Sequence, residues 1–222
     1  PTNEVWEFDP TANTTMTLLA GGPVGTPAAT ASGNALWSPR YQLCAAVFNG
    51  RIWVLGGQDD TGPRNDVWSS SDGITWRCEF NSAPWDPREY HAVAVGDNGL
   101  WVLGGYTRYS IGDWFRDQYR SDVWKMALND DETYAWTLQN ATAPWAPRDS
   151  HEALFFDPME RASDPNGAAN RLWVLSGAND TDIFGDVWHS GEPLTAEQSV
   201  LRIDAALPNA AYAGAATRIT LK

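Results

Sequence analysis

Cysteine is nearly missing from this chain: its 222 residues include two, Cys44 and Cys78. Two cysteines cannot make a disulfide scaffold, so a packed core must hold the fold. Basic residues are scarce as well, 15 against 28 acidic ones, for a net charge of −13. Such a surface repels phosphate backbones and anionic headgroups, so nucleic acid is not an expected partner. No apolar run reaches 18 residues, which argues against a spanning helix or membrane insertion. Histidine occurs three times, never at the i, i+2 or i, i+4 spacing of a metal site, and no metal or other cofactor is expected. The chain opens at Pro1 without a signal-like apolar stretch, which reads as a mature or partial chain.

What the chain has in excess is tryptophan, 13 residues, and internal repetition. RIWVLGG at 51–57 returns as LWVLGG at 100–105 and RLWVLSG at 171–177. DVW recurs at 66–68, 122–124 and 186–188, with EVW at 4–6 as a fourth copy. APWDPR at 83–88 returns as APWAPR at 143–148, and LWSPR at 36–40 is a looser copy. The DVW-type triplets begin 62, 56 and 64 residues apart, a unit suited to four strands with generous loops.

Each unit divides into four strands. An apolar run follows the PR pair (43–48, 91–95, 151–156), then the WVL run, the DVW run, and a segment with a Thr-Trp or Ala-Trp pair (74–80, 135–138). Val, Ile, Leu and Trp fill these runs and Gly, Asn, Asp and Pro separate them, with no 3.6-residue period. Asp72-Gly73 is a hairpin signal between the third and fourth strands. The glycine pairs suit a sharp turn beside a neighbouring sheet. Ser176 replaces the first glycine of the third pair, so that turn is expected to be altered. Side chains repeated at equal offsets suit equal packing jobs, so Trp53, Trp68, Trp101, Trp124, Trp173 and Trp188 are assigned to the core.

The order PRxxH, WVLGG, NDVW, DGxTW resembles the Kelch repeat of galactose-oxidase-type central domains, over about residues 4–203. The resemblance implies an all-β propeller of four-stranded blades, with the first strand of each blade innermost. Residues 1–20 then supply the outer two strands of a split blade. Blades follow at 36–82, 83–142 and 143–206, with 199–205 as a weak fourth strand of the last. A further blade starts at 207–222, where Pro208 and Tyr212 take the places of earlier proline and histidine residues. About four blades' worth of strands results. They form either a closed four-bladed ring or part of a larger propeller, the reading slightly preferred here.

Repetition marks packing, so its absence is the better marker of function. The stretch 106–121 has no counterpart and reads as a long loop between the second and third strands. In Kelch-like propellers these loops share one face with those between blades, and that face commonly binds. Tyr106, Arg108, Tyr109, Trp114, Phe115, Arg116, Tyr119 and Arg120 are therefore the candidate binding residues, aromatics and arginines being common anchors of recognition surfaces. The alternative is a loop folded over its own blade or against a subunit. His91 and His151 occupy matching offsets and read as structural; His189 has no partner nearby in sequence. The acidic groups 59–60, 130–132 and 180/182 read as solvated turns rather than calcium loops. Cys44 and Cys78 fall on strands about 14 Å apart, too far to be bonded. Sequons at Asn13, Asn140 and Asn179 lean toward an extracellular, glycosylated protein.

These signals favour a non-enzymatic interaction or scaffold module that binds protein or glycan through the loop face. The galactose-oxidase copper site cannot be placed on this sequence, and no catalytic residue is assigned. Alternatives are a structural subunit of an extracellular filament, with open blade edges enabling self-assembly, and a carbohydrate-active enzyme of galactose-oxidase or sialic-acid-mutarotase type.

Overall fold

The computed structural model describes residues 2–9, 16–21, 37–111, 114–156, 171–191, 203–206 and 217–219. Every regular element among them is a strand. A short hairpin comes first, β1 (Val5–Phe8) paired with β2 (Met16–Ala20). The first full sheet has the order β3 (Cys44–Phe48), β4 (Arg51–Leu55), β7 (Val67–Ser70), β8 (Arg77–Phe80), with a small hairpin of β5 (Gln58–Asp59) and β6 (Gly62–Pro63) between its middle strands. The second has β9 (Ala92–Gly96), β10 (Gly99–Ile111), β11 (Trp114–Leu128) and β12 (Tyr134–Asn140). The third has β13 (Glu152–Phe156), β14 (Arg171–Leu175) and β15 (Val187–His189). The pairings are antiparallel and, apart from the β5–β6 hairpin set between β4 and β7, join consecutive strands, the blade arrangement expected of a Kelch-type propeller.

Local chemistry explains the meander. The turn between β3 and β4 is Asn49-Gly50 and that between β9 and β10 is Asp97-Asn98, all four with positive φ of 49–67°, as two-residue hairpins joining right-twisted strands require. At the β7–β8 corner the Asp72 carboxylate accepts from the amides of Ile74 (2.9 Å) and Thr75 (2.7 Å). These bonds hold its pKa down at about 2.

The core lies between sheets. Trp53, Leu55, Val67, Trp85, Leu100, Val102 and Met126 form one cluster joining the first and second full sheets. Leu103, Val123, Leu172 and Val174 anchor the next, and Trp37, Val54 and Trp76 join the first sheet to the N-terminal hairpin. The first strands β3, β9 and β13 stand side by side, so they are innermost. None of the six repeated tryptophans is exposed. Trp53, Trp101 and Trp173 each donate their indole N–H to a carbonyl at the end of the preceding strand, those of Phe48, Gly96 and Phe156 at 2.9–3.0 Å. This satisfies the polar edge of a buried ring.

Four expectations need correction. Residues 106–121 are not a loop: β10 and β11 run on past the sheet as a two-stranded arm, paired from Gly105↔Arg120 to Ile111↔Trp114. The segment is rich in Tyr, Thr, Ile, Trp and Phe, which suit a pleated strand, so length without repetition was mistaken for irregularity. The Ser176 turn is unaltered, with φ of 61° beside 55° at Gly56 and 53° at Gly104. Asp59 is not a solvated turn residue; it is 5% exposed and salt-bridged to Arg64. Finally, β16 (Ile203–Ala206) pairs with β17 (Thr217–Ile219) rather than with β15. Most of the expected unit at 207–222, Pro208 and Tyr212 included, and Asn13 lie outside the described residues. The two thiols are free, on strands at opposite edges of the first full sheet.

Candidate functional site

The candidate site is built on a clasp repeated three times. Arg40, Arg88 and Arg148 of the PR pairs reach Asp66, Asp122 and Asp186 of the DVW triplets through paired Nη1 and Nη2 hydrogen bonds of 2.5–2.9 Å. Each Nη1 also donates to the carbonyl of the left-handed residue ending the second strand: Gly56 (3.0 Å), Gly104 (2.8 Å) and Ser176 (2.7 Å). The tryptophan of each triplet donates its indole N–H to the same aspartate at 2.7–2.8 Å. Burial works against the charged form of Asp66 and Asp122, yet their arginine and tryptophan donors hold both below the usual carboxylate range. At the more exposed Asp186 the Arg148 hydrogen bond leads and holds the pKa down at about 2.

The clasp sets the path of the chain just beyond each arginine. The residue after each arginine bridges the residue after each glycine pair: Tyr41 with Gln58, Glu89 with Tyr106, Asp149 with Ala178. The next residue, Gln42, Tyr90 or Ser150, takes a left-handed φ of 52–53°, an uncommon state for a side chain other than glycine. Backbone bonds then link the blades, from Tyr90 N to Gln42 O (3.4 Å) and from Ser150 N to Tyr90 O (3.0 Å). Together these residues make an inner rim where the first strands begin. The clasp is identical in the three sheets, but the rim side chains differ in every one.

A cleft of about 600 Å³ opens on this rim. Tyr41, Gln42, Glu89 and Tyr90 line one part of it, Gln58 and Asp59 another, and Tyr106, Arg108 and Tyr109 the wall made by the arm. Its hydrogen bonds are largely internal. The Gln42 amide donates to the Tyr90 hydroxyl at 2.6 Å. Asp59 accepts from Ser38, Thr61 and Arg64 at 2.5–2.8 Å, and despite burial these donors hold its carboxyl far below its ordinary range. Tyr106 donates its hydroxyl to Asp117 at 2.6 Å; burial, then that bond, push its phenol pKa up. The Gln58 amide, oriented so that its nitrogen faces the carboxylate, donates to Glu89 at 2.8 and 3.2 Å and accepts from the Tyr41 hydroxyl at 2.7 Å.

The structure divides the candidate binding residues. Tyr106, Arg108 and Tyr109 meet at the cleft. Arg108 Nε and Nη2 donate to Asp117 at 2.8 and 3.0 Å, an exposed pair worth at most about 1 kcal/mol. Tyr119 packs at a tilt against Tyr106, ring centroids 5.1 Å apart, and its hydroxyl donates to Asp180 at 2.8 Å. Arg120 turns back to Asp86 at 2.7 Å and donates to the Tyr109 hydroxyl at 2.9 Å. Arg116 is exposed on the arm opposite Tyr109. Trp114 and Phe115 pair with Ile111 and Ser110 through the backbone, and their side chains lie outside the described part.

Sequence reasoning missed the rim itself. Tyr41, Gln42, Glu89, Tyr90, Asp149 and Ser150 sit directly after the repeated PR pairs, where the repeat is broken, and that break was the available signal. His91 and His151 come next and are buried, each 4% exposed, and neither His91 ring nitrogen has a hydrogen-bond partner among the described residues. Burial, then the neighbouring arginine, push their pKa values down to about 3 and about 4, so both are neutral. Among the described residues no group of three His, Cys, Asp or Glu side chains could hold a metal ion.

No curated protein matches the chain. Residues 39–69 match the family model of the Kelch motif, a match that does not separate a galactose-oxidase-type domain from other Kelch propellers. The matched span runs from the PR pair through β3, β4 and the DVW triplet, and so contains one whole clasp. The next two sheets repeat that clasp in full, so the pattern of the matched Kelch motif recurs in them.

Proposed function

We propose that this chain is a non-enzymatic extracellular interaction module whose inner rim and adjoining arm bind a partner, protein or glycan. One observation carries the reading: an invariant scaffold of Arg–Asp–Trp clasps presents a different side chain at every equivalent rim position, beside a cleft of about 600 Å³. Scaffold sameness with rim diversity is what a binding surface on a repeat fold requires. The tyrosines Tyr41, Tyr90, Tyr106 and Tyr109 offer rigid, amphipathic contact at little entropic cost. Left-handed non-glycine residues at three equivalent rim positions, Gln42, Tyr90 and Ser150, support the same view, since strain of this kind gathers at functional sites. Asn140 and Asn179 stand in turns capped by their own side chains, each Oδ1 accepting from the amide two residues on at 2.9 Å, which suits the glycosylated surface of a secreted protein.

The test is a screen of the whole chain against a random peptide library and a glycan array. Binding should be lost in Tyr90→Ala and Gln42→Ala and kept in Arg77→Ala, which alters the cleft at the opposite end of the sheets. Ligands that bind the rim variants as tightly as the parent would reject the rim as the site.

A further inference from the structure

Among the described residues, the buried carboxylates lining the cleft are matched in pairs except at one place, while Asp60 is exposed to water. Asp59 faces Arg64, and Asp117 faces Arg108. Glu89 lines the same cleft, is 5% exposed, and makes no ion pair among the described residues; its hydrogen-bond donor is the neutral Gln58 amide. A nearly buried carboxylate without a countercharge is costly, because desolvation is not offset. Burial raises its pKa against the pull of Arg108, with a smaller push upward from Asp149. Asp149 holds the equivalent rim position one blade on; it too is raised, by burial first and with Asp180 adding to it, and makes no ion pair among the described residues. Two successive rim positions thus carry carboxyl groups with no ion pair among the described residues. Tyr41, Tyr90 and Tyr106 line the cleft with Glu89, Arg108 already lies over the Tyr106 ring at 5.8 Å, and the whole chain, at −13, draws a basic partner from a distance.

Resting on the rim as the binding site, we infer that the partner is a protein and that it inserts an arginine or lysine side chain into the cleft, with Glu89 as its counter-ion and Tyr41, Tyr90 and Tyr106 as walls. A neutral glycan would leave the Glu89 charge uncompensated, and an acidic peptide would add to it. Arg108 stands at the edge of the cleft in its pair with Asp117. It therefore opposes an incoming cation, which gives the inference a sign that a merely structural rim would not show.

The experiment uses blocked heptapeptides of Gly and Ser with a central Arg, Lys, Ala or Glu, titrated by calorimetry into the whole chain. The Arg and Lys peptides should bind at least tenfold more tightly than the Ala peptide, and the Glu peptide more weakly still. Glu89→Gln, which keeps shape and hydrogen bonding, should erase the Arg-over-Ala preference, and Arg108→Ala should strengthen Arg-peptide binding. Should Glu89→Gln lose its near-ultraviolet circular dichroism signal, Asp149→Asn replaces it and must reduce the same preference at least threefold. Equal binding of the Arg and Ala peptides, or weaker Arg-peptide binding in Arg108→Ala, overturns the inference. A neutral, acidic or glycan ligand that still depends on Tyr90 overturns the cation while leaving the rim as the site; ligands indifferent to every rim variant overturn the rim itself.

Discussion

Arg88 and Asp122, 34 residues apart, meet through two parallel hydrogen bonds of 2.7 and 2.8 Å, with the arginine side chain fully buried. The pair ties the entry of one blade to its third strand, and Nη1 pins the turn at Gly104 as well. Removing the guanidinium strands a largely buried carboxylate and the carbonyls of Gly104 and Asp86 that accept from it. Arg88→Ala should therefore lower stability by about 3–5 kcal/mol. A urea melt with a slope of about 2 kcal/mol/M would move by at least about 1.5 M. Arg88→Lys should recover little, since a single ammonium cannot reproduce the fork. Arg148→Ala should cost less, because Asp186 has 38% of its side chain exposed and water can replace the arginine there. Equal losses at both positions would contradict this account of the clasp.

The repeated parts of this molecule were open to a reader of the sequence. Trp53, Trp101 and Trp173 sit at one offset from one motif because they do one job, and their burial follows. The clasp was harder to see although both partners repeat. The distance from arginine to aspartate changes from 26 to 34 to 38 residues as the intervening segment grows, so no fixed spacing reveals the pair. The rim stayed hidden for the opposite reason. Glu89 and Tyr90 differ from Tyr41 and Gln42 within an otherwise faithful repeat, and two changed residues carry less weight to the eye than the long insertion at 106–121. That insertion drew attention for its length, and of its described side chains Tyr106, Arg108 and Tyr109 reach the cleft.

His91 and His151 make stability depend on pH. Both are neutral in the fold, with pKa values of about 3 and about 4, while in the unfolded chain they titrate near the ordinary value of 6.5. Folded values below unfolded ones mean that the unfolded chain takes up protons first. Stability is therefore whole above about pH 6.5 and falls as pH drops from there toward about 4, by up to about 1.4 kcal/mol per pH unit for each histidine. Arg88 and His151 add to the depression at His91, and Asp122 opposes it. Glu89 and Asp149, raised in the fold, titrate with the opposite sign, so the measurement is a difference. Urea melts of parent and His91→Phe at pH 7, 5.5 and 4.5 should show a shallower loss in the variant. Parallel losses would mean that His91 is already charged or solvated in the folded chain.

Ser176 holds a φ of 61° where its two counterparts are glycines. The conformation costs a residue with a Cβ about 1 kcal/mol, and the hydrogen bond from its hydroxyl to the Phe184 carbonyl, 3.1 Å and exposed, offsets only part of that. Ser176→Gly should raise stability by about 0.5 kcal/mol, read as a higher urea midpoint at unchanged slope. The converse, Gly104→Ser, should be harsher, since a Cβ there would lie 2.7 Å from His151 Cε1. A destabilised Ser176→Gly would show that the hydroxyl, rather than relief of the turn, dominates.

The two cysteines should differ in reactivity for reasons set by the blades. Cys44 is pushed up to about 12, by burial first and then by Glu152, and its Sγ lies 2.8 Å from the His91 carbonyl, the acceptor for its proton. Cys78 is also raised by burial, with Asp66 and Glu79 adding to it, but it stands on the outer strand β8, half-exposed. Since the thiolate is the nucleophile, iodoacetamide at pH 8 should modify Cys78 measurably and leave Cys44 at least tenfold slower. In urea both should react at one rate. Peptide mass mapping after timed quenching separates the two sites. Fast labelling of Cys44 in the folded chain would mean that β3 parts from β9 at the inner rim, and the continuity of the three-blade scaffold would then have to be given up.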